Sequence, residues 1–281
     1  MTSSRKSEFE ISTAQHDIAR GERFAFGDNW AAFLDHLDED RIAIAEKSLQ
    51  ELLGVESLAG KAFVDVGSGS GLFSLCARRL GARVHSFDFD QQSVACTREL
   101  KARYFPNDPH WTVESGSVLD MNYLKQVPTF EIVYSWGVLH HTGAMWQALE
   151  NVIALTQPDG QLSIAIYNDQ GWISRAWRQI KRAYCSGPLG KSIVLAMFIP
   201  YFALRTVAVS IVRRRNEFAS YRRHRGMSIV YDWYDWLGGY PFEVATVEEI
   251  QSFYESRGFE LQKVKATKRL GCHEFVFVRR S

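Results

Sequence analysis

The sequence has almost no charge bias, with 33 Lys and Arg against 32 Asp and Glu. The chain as a whole therefore has no basic field to recruit a nucleic-acid backbone, and no nucleic-acid partner is expected. Cysteine is scarce as well: Cys76, Cys96, Cys185 and Cys272 are dispersed and form no C-x-x-C pair. A chain of 281 residues needs no disulfide to fold, so these read as reduced thiols. Internal repeats and low-complexity tracts are missing. Met1 to Glu10 is polar and lacks the apolar core of a leader, which points to the cytoplasm. The length fits one large α/β domain carrying an insertion rather than two independent domains.

Another absence is more specific. Val64-Asp65-Val66-Gly67-Ser68-Gly69-Ser70-Gly71 runs into Leu72-Phe73-Ser74-Leu75, which reads as a short buried strand, a glycine turn and an amphipathic helix. Glycines let the backbone turn tightly and let a ligand approach without a Cβ in the way. The dinucleotide pattern G-x-G-x-x-G requires glycine at position 72, and Leu72 stands there. That disfavours a nicotinamide-dependent oxidoreductase. Downstream, Arg83 to Asp88 reads as the next strand, and Asp88 ends it at about the distance where such folds place an acceptor for a ribose diol. Asp90 competes for that role.

Strand and helix then alternate, which implies a parallel, doubly wound sheet with its ligand at the carboxyl ends of the strands. The stretch from Trp30 to Leu53 reads as two helices broken by Asp38-Glu39-Asp40. Phe24, Phe26 and Trp30 serve either as packing for those helices or as a lid over the ligand. A helix is expected over Gln91 to Tyr104 and a strand over Trp111 to Glu114. Thr246, with Glu249 three residues on, caps a helix over Val247 to Arg257, followed by strands at Phe259 to Val264 and Glu274 to Val278. The expected organisation is an N-terminal tail and helices (1–56), a ligand-binding core (57–170), a helical and aromatic insertion (171–245) and closing elements (246–281).

Four segments in this order resemble the class I S-adenosylmethionine-dependent methyltransferases. Val64 to Gly71 is similar to their first motif, Gly116 to Asp120 to the adenine-binding segment, Phe130 to His141 to the fourth strand and its loop, and Pro158 to Ile166 to the turn and fifth strand. The branch most similar is the small-molecule enzymes likened to quinone-biosynthesis methyltransferases. The resemblance implies an α/β, Rossmann-like, doubly wound, mostly parallel seven-stranded sheet with an antiparallel edge, and a helical insertion between the fifth and sixth strands. It implies S-adenosyl-L-methionine as cofactor and S-adenosyl-L-homocysteine as product. It places Asp65, Gly67, Ser68, Gly69, Gly71, Asp88, Phe89, Ser117, Val118 and Trp136 at the cofactor. Asp65 serves either the methionyl ammonium or the turn itself. Ser117 stands where many relatives carry an acid, so the adenine contact comes from Ser117, the Val118 backbone or Asp120. The implied activity is methyl transfer by in-line displacement to a small-molecule acceptor, at oxygen first, with carbon and nitrogen open. A catalytically silent module that keeps the fold for binding is the alternative.

The chemistry of such a transfer requires an oriented nucleophile and, for a hydroxyl, removal of a proton. His140 and His141 at the mouth of the fourth strand are the candidate bases, because histidine titrates near neutral pH. Adjacent histidines without a carboxylate or thiol companion do not make a metal site, and none is expected. Tyr167 and Asn168 after the fifth strand, and Tyr234 and Tyr240 in the aromatic and acidic segment Tyr231 to Glu243, are candidate acceptor contacts; a rigid aromatic core is the other reading of that segment. Ser192 to Val212 is almost wholly apolar and is followed by Arg213-Arg214-Arg215 and Arg222-Arg223-His224-Arg225. Pro200 and Arg205 interrupt it, so a membrane span is not expected. It reads as two helices broken at Pro200 that wall off the acceptor pocket. Peripheral contact with a membrane, or a homodimer interface, through 192–225 are the other readings.

Overall fold

Val64 to Gly71 forms the corner of a parallel β-α-β unit. The computed structural model describes residues 16–18, 20–21, 23–24, 26–214, 216 and 229–281. Strand β1 (Ala62–Val66) leads through the glycines into helix α3 (Leu72–Arg79), preceded in the chain by α1 (Phe26–Leu34) and α2 (Glu39–Leu53). β2 (Arg83–Asp88), α4 (Gln91–Tyr104), β3 (Trp111–Ser115), the single turn α5 (Met121–Leu124), β4 (Phe130–Trp136), a 3-10 turn (Leu139–His141), α6 (Met145–Ile153) and β5 (Thr156–Tyr167) follow. Helices α7 (Trp172–Cys185), α8 (Pro188–Val212) and α9 (Ile229–Gly238) make the insertion. The chain then closes with α10 (Val247–Glu255), β6 (Phe259–Lys265) and β7 (Cys272–Arg279).

The seven strands form one sheet in the order β3-β2-β1-β4-β5-β7-β6. β1 pairs in parallel with β2 (Phe63 opposite Val84) and with β4 (Phe63 opposite Ile132), whereas β7 runs antiparallel to both β5 and β6. The order reverses beside β1, so a crevice opens at the carboxyl ends of β1 and β4. β1 buries apolar side chains on both faces: Val64 and Val66 pack with Val133, Leu162 and Phe277 on one side, and Phe63 with Leu75, Ile132 and Tyr134 on the other, so Asp65 is its one polar side chain.

Local chemistry sets the helix starts. Asp38 accepts from the Arg41 amide at 2.9 Å and caps α2, so the acidic run is the break expected between the first two helices. Thr246 and Glu249 form a reciprocal capping box on α10, which ends at Glu255 rather than Arg257. Pro158-Asp159-Gly160 does not precede β5 but bulges within it, with Asp159 at φ 59° and a register shift against β4. Pro200 does not break the insertion into two helices; α8 continues through it for 25 residues. The insertion leaves and rejoins the sheet at one point, where Asn168 bridges Ala245 and the Ala245 amide donates to the Tyr167 carbonyl at 3.0 Å. It has its own small core of Tyr184, Cys185, Val194 and Leu237, onto which Phe24 packs. Arg215, Arg222, Arg223, His224 and Arg225 lie outside the described residues.

Candidate functional site

A cavity of about 1780 Å³ runs from the glycine corner to the underside of the insertion. Its floor is the loop after β1. Gly67, Gly69 and Gly71 have φ of 77°, 54° and 81°, which only glycine adopts without strain. A Cβ on Gly69 would come within 3.1 Å of Trp30 Nε1, so the loop and α1 face each other across the cavity. Phe24, Phe26 and Trp30 all line it. The N-terminal aromatics therefore cover the corner as well as packing the helices.

Asp88 ties this floor together. Its Oδ2 accepts from the Gly69 amide at 2.9 Å and its Oδ1 from the Asp90 amide at 2.8 Å. Each carboxylate oxygen has two lone pairs, so an acceptor position remains on both. Burial pushes its pKa up to about 6, against the lowering effect of those amides. Asp90, on the same cavity, caps α4 through the Gln92 amide and accepts from Ser93 Oγ, so it too keeps acceptor positions; what distinguishes Asp88 is its bond to the Gly69 amide of the glycine loop. Asp120 is likewise the N-cap of α5 and lines no part of the cavity, whereas Ser117 and Val118 do. Phe89 and Trp136 line the same end, and Arg23 lies over the Phe89 ring at 5.7 Å.

Asp65 sits at the end of β1, 3% exposed, on the cavity wall. Its Oδ2 accepts from Ser74 Oγ at 2.5 Å; Ser74 accepts from Ser86 Oγ at 2.8 Å, and Ser86 from the Trp111 indole at 2.9 Å. This relay fixes the carboxylate against the first turn of α3. Burial raises its pKa to about 7, with the nearby Asp88 adding to the rise and Ser74 opposing it.

The two histidines separate. His140 is fully buried, lines no part of the cavity and packs its ring on His141 and Tyr167 at 4.5 and 4.1 Å. Neither ring nitrogen meets a partner in hydrogen-bond geometry among the described residues, although the Ala165 backbone slightly favours the charged form. Burial, with His141 and Lys181 nearby, holds its pKa far below the usual range. The expected role of His140 as a base is therefore corrected: a neutral ring sealed in packing reaches no acceptor. His141 does line the cavity. Its Nδ1 is 2.6 Å from the Pro241 carbonyl, which can only accept, so Nδ1 carries the proton and Nε2 is the lone-pair nitrogen. Burial lowers its pKa to about 3, with Lys181 and Arg23 contributing. At neutral pH His141 is an uncharged hydrogen-bond acceptor.

Tyr167 lines the cavity beside His141. Asn168 does not; its amide donates to the Thr267 carbonyl at 3.0 Å and its oxygen accepts from His273 Nε2 at 2.9 Å, so it braces the β5 and β7 ends. Tyr234 and Tyr240 also stay off the cavity, and Tyr240 packs with the insertion core. The aromatic wall is built instead by Trp177, Tyr201, Phe202, Trp233 and Trp236, with Arg205. Sequence reading missed these because helical position, not residue type, decides which aromatics of α7, α8 and α9 point inward. Arg23 was missed too; it donates to the His141 and Thr142 carbonyls at 3.2 and 3.1 Å and has no motif around it. Among the described residues no three His, Cys, Asp or Glu are grouped so as to hold a metal ion.

Residues 64–162 match a family model described as a methyltransferase domain. No curated protein matches the sequence. Among solved structures, magnesium protoporphyrin IX methyltransferase from Synechocystis PCC 6803 with bound SAH is similar at a TM-score of 0.54 and 12% identity, over 90% of this chain and 93% of that one. A putative sarcosine dimethylglycine methyltransferase from Galdieria sulphuraria is similar at 0.51 and 9% identity, over 84% of each chain. The [4+2]-cyclase SpnF, at 0.52 and 10% identity over 84% and 79%, has the same fold.

Proposed function

We propose that this chain, whose residues 64–162 match a methyltransferase domain, is a class I S-adenosylmethionine-dependent methyltransferase that methylates an oxygen of a small molecule held between His141 and the aromatic wall of the insertion. The fold alone would not lead there, since a [4+2]-cyclase shares it. The observation that carries the reading is His141: tied through Nδ1–H to Pro241, it leaves Nε2 without a partner among the described residues, on the cavity that the glycine corner also lines.

The donor set fits the cofactor. Gly67, Gly69 and Gly71 with Ser68 leave backbone rather than side chain at the corner, and Asp88 keeps acceptor positions for a ribose diol. Asp65 offers a carboxylate to a cationic amine, and Phe89, Ser117, Val118 and Trp136 would take the adenine. When bound, S-adenosylmethionine supplies a methyl group already activated on a sulfonium. The residues of this chain add orientation and exclusion of water. Trp30, Phe24 and Phe26 roof the corner, while Tyr167, Trp236 and Phe202 wall the acceptor end. His141 Nε2 accepts the acceptor's hydroxyl hydrogen and aligns its oxygen. As the O–CH3 bond forms and the S–CH3 bond breaks, the hydroxyl proton leaves through His141 Nε2 to solvent; with a pKa near 3 the ring gives that proton up rather than keeping it.

The test is transfer of labelled methyl from S-adenosylmethionine into fractionated small molecules, with His141→Gln beside wild type. His141→Gln should lower turnover about 10²-fold, the lower end for such a group, with S-adenosylhomocysteine affinity retained in calorimetry. Turnover of the variant at the wild-type rate would remove His141 from the site. Label recovered only on nitrogen or carbon would overturn the oxygen acceptor.

A further inference from the structure

Helix α8 is half-packed. Val194, Phe198 and Phe202 face α7 and α9. On the opposite side Leu189, Ile193, Met197, Leu204 and Ile211 recur at helical spacing and are 76, 52, 63, 71 and 71% exposed. At 1.5 Å per residue this stripe is about 33 Å long, an apolar surface that a protein surrounded by water rarely leaves bare. The helix is long and apolar enough to cross a membrane, with a mean hydropathy of 1.8 over its most apolar window, of which 11% is buried. Its inner face nevertheless packs on protein and lines the cavity, so one side only is left for lipid.

The charge along α7 and α8 has one sign. From Gln170 to Asn216 there are nine Lys and Arg and no Asp or Glu, in a chain that is otherwise balanced. Arg175, Arg182 and Lys191 are exposed on and beside α7, and Arg213 and Arg214 at the far end of α8. Trp172, at the start of α7, is 71% exposed. An apolar stripe flanked by cations and an exposed Trp is the pattern of a helix lying in the interface of an anionic bilayer. A second copy of this chain would bring its own cations against these, which like-charge repulsion opposes.

We propose that α7 and α8 dock this protein on an anionic membrane surface, with the outer stripe of α8 in the headgroup–acyl boundary. Because Tyr201, Phe202 and Arg205 of the same helix line the cavity, docking sets one cavity wall on the bilayer. An acceptor dissolved in lipid then reaches the site without crossing water. The docking rests on the surface alone and does not depend on the chemistry proposed above.

The experiment is flotation of the full-length protein with phosphatidylglycerol-containing and with pure phosphatidylcholine vesicles, beside Met197→Glu/Leu204→Glu, whose positions are exposed and off the cavity. The wild type should float with the anionic vesicles at least tenfold more than with the neutral ones, and the double variant should stay at the bottom while binding S-adenosylhomocysteine as wild type in calorimetry. Wild type that floats with neither vesicle overturns the proposal. So does a wild-type dimer in analytical ultracentrifugation that the double variant turns into monomer, because a second copy then covers the stripe. If the double variant loses ligand binding as well, Ile193→Glu/Ile211→Glu is read in its place, and flotation of that variant at the wild-type level also overturns the docking. Failure of ligand binding by wild type, with flotation intact, would strike the cofactor reading and leave the docking standing.

Discussion

At the residue scale, a single carboxylate carries opposite demands. In the proposed function Asp65 holds a cationic amine and must be ionised to do so, yet burial raises its pKa from 3.8 to about 7. A raised carboxyl pKa means that the folded state keeps a proton which the unfolded chain releases above pH 3.8, so this group's contribution is fully present below that pH and is lost as pH rises through about 7. Asp65→Asn is neutral throughout. In urea unfolding of the ligand-free protein, the stability of Asp65→Asn relative to wild type should therefore grow between pH 4 and pH 8. S-adenosylhomocysteine affinity of the wild type should rise over the upper part of that range, and the variant should lack the rise. A relative stability that does not change over that range would mean that Asp65 is ionised in the fold throughout it. Its motif position was legible in the sequence; its protonation was not, because the relay through Ser74 and Ser86 to the Trp111 indole joins three strands and a helix.

At the scale of elements, the glycine corner and α1 form one device. Gly69 has φ 54°, and a Cβ there meets Trp30. Gly69→Val should abolish binding of S-adenosylhomocysteine in calorimetry. The strained backbone should lower unfolding free energy by about 1–3 kcal/mol, a cost typical of a left-handed non-glycine residue, with the fold retained by circular dichroism. Binding at wild-type affinity would mean that the ligand does not approach this turn. Most element ends could be read from local chemistry: β2 ends at Asp88, α4 covers Gln91–Tyr104, and the Thr246 capping box starts α10. The errors have a common cause. Pro200 and the Pro158-Asp159-Gly160 turn are strong local breakers, but packing on α7 and α9 carries α8 through the first, and pairing on both edges carries β5 past the second.

For the whole molecule, the buried titratable groups shape the response to acid. His140 and His141 are held neutral, so below about pH 6.5 the unfolded chain binds two protons that the fold refuses, and stability falls as pH falls. Asp65 and Asp88 act with the opposite sign between 3.8 and their raised values of about 7 and 6. These four nearly cancel from about pH 4 to 6, where His85 and His273, lowered by burial, add to the loss on acidification and Glu243, raised by burial, opposes it; at lower pH the histidines are joined by Asp108 and Glu131, which their cationic partners hold ionised in the fold. Thermal unfolding of the ligand-free protein should thus be flat over that window and drop steeply beneath it, and His141→Gln should soften the drop. A steady loss beginning at pH 6.5 would show that the carboxylates do not offset the histidines.

By itself the sequence determined the doubly wound sheet, the glycine corner and the acid that ends β2, because each is written in spacing along one short segment. Burial periodicity and capping act over a few residues and survive any change in distant packing. Only the tertiary structure decided between neighbours of equal chemistry: His141 rather than His140 on the cavity, and Trp233 and Trp236 rather than Tyr234. Adjacent side chains point in different directions, and which one meets the cavity depends on how the insertion, joined to the sheet beside Asn168 and Ala245, folds back over the strand ends. The same holds for α8. Its apolar composition is plain in the sequence, but which face packs inward and which stays bare follows from its seat on α7 and α9.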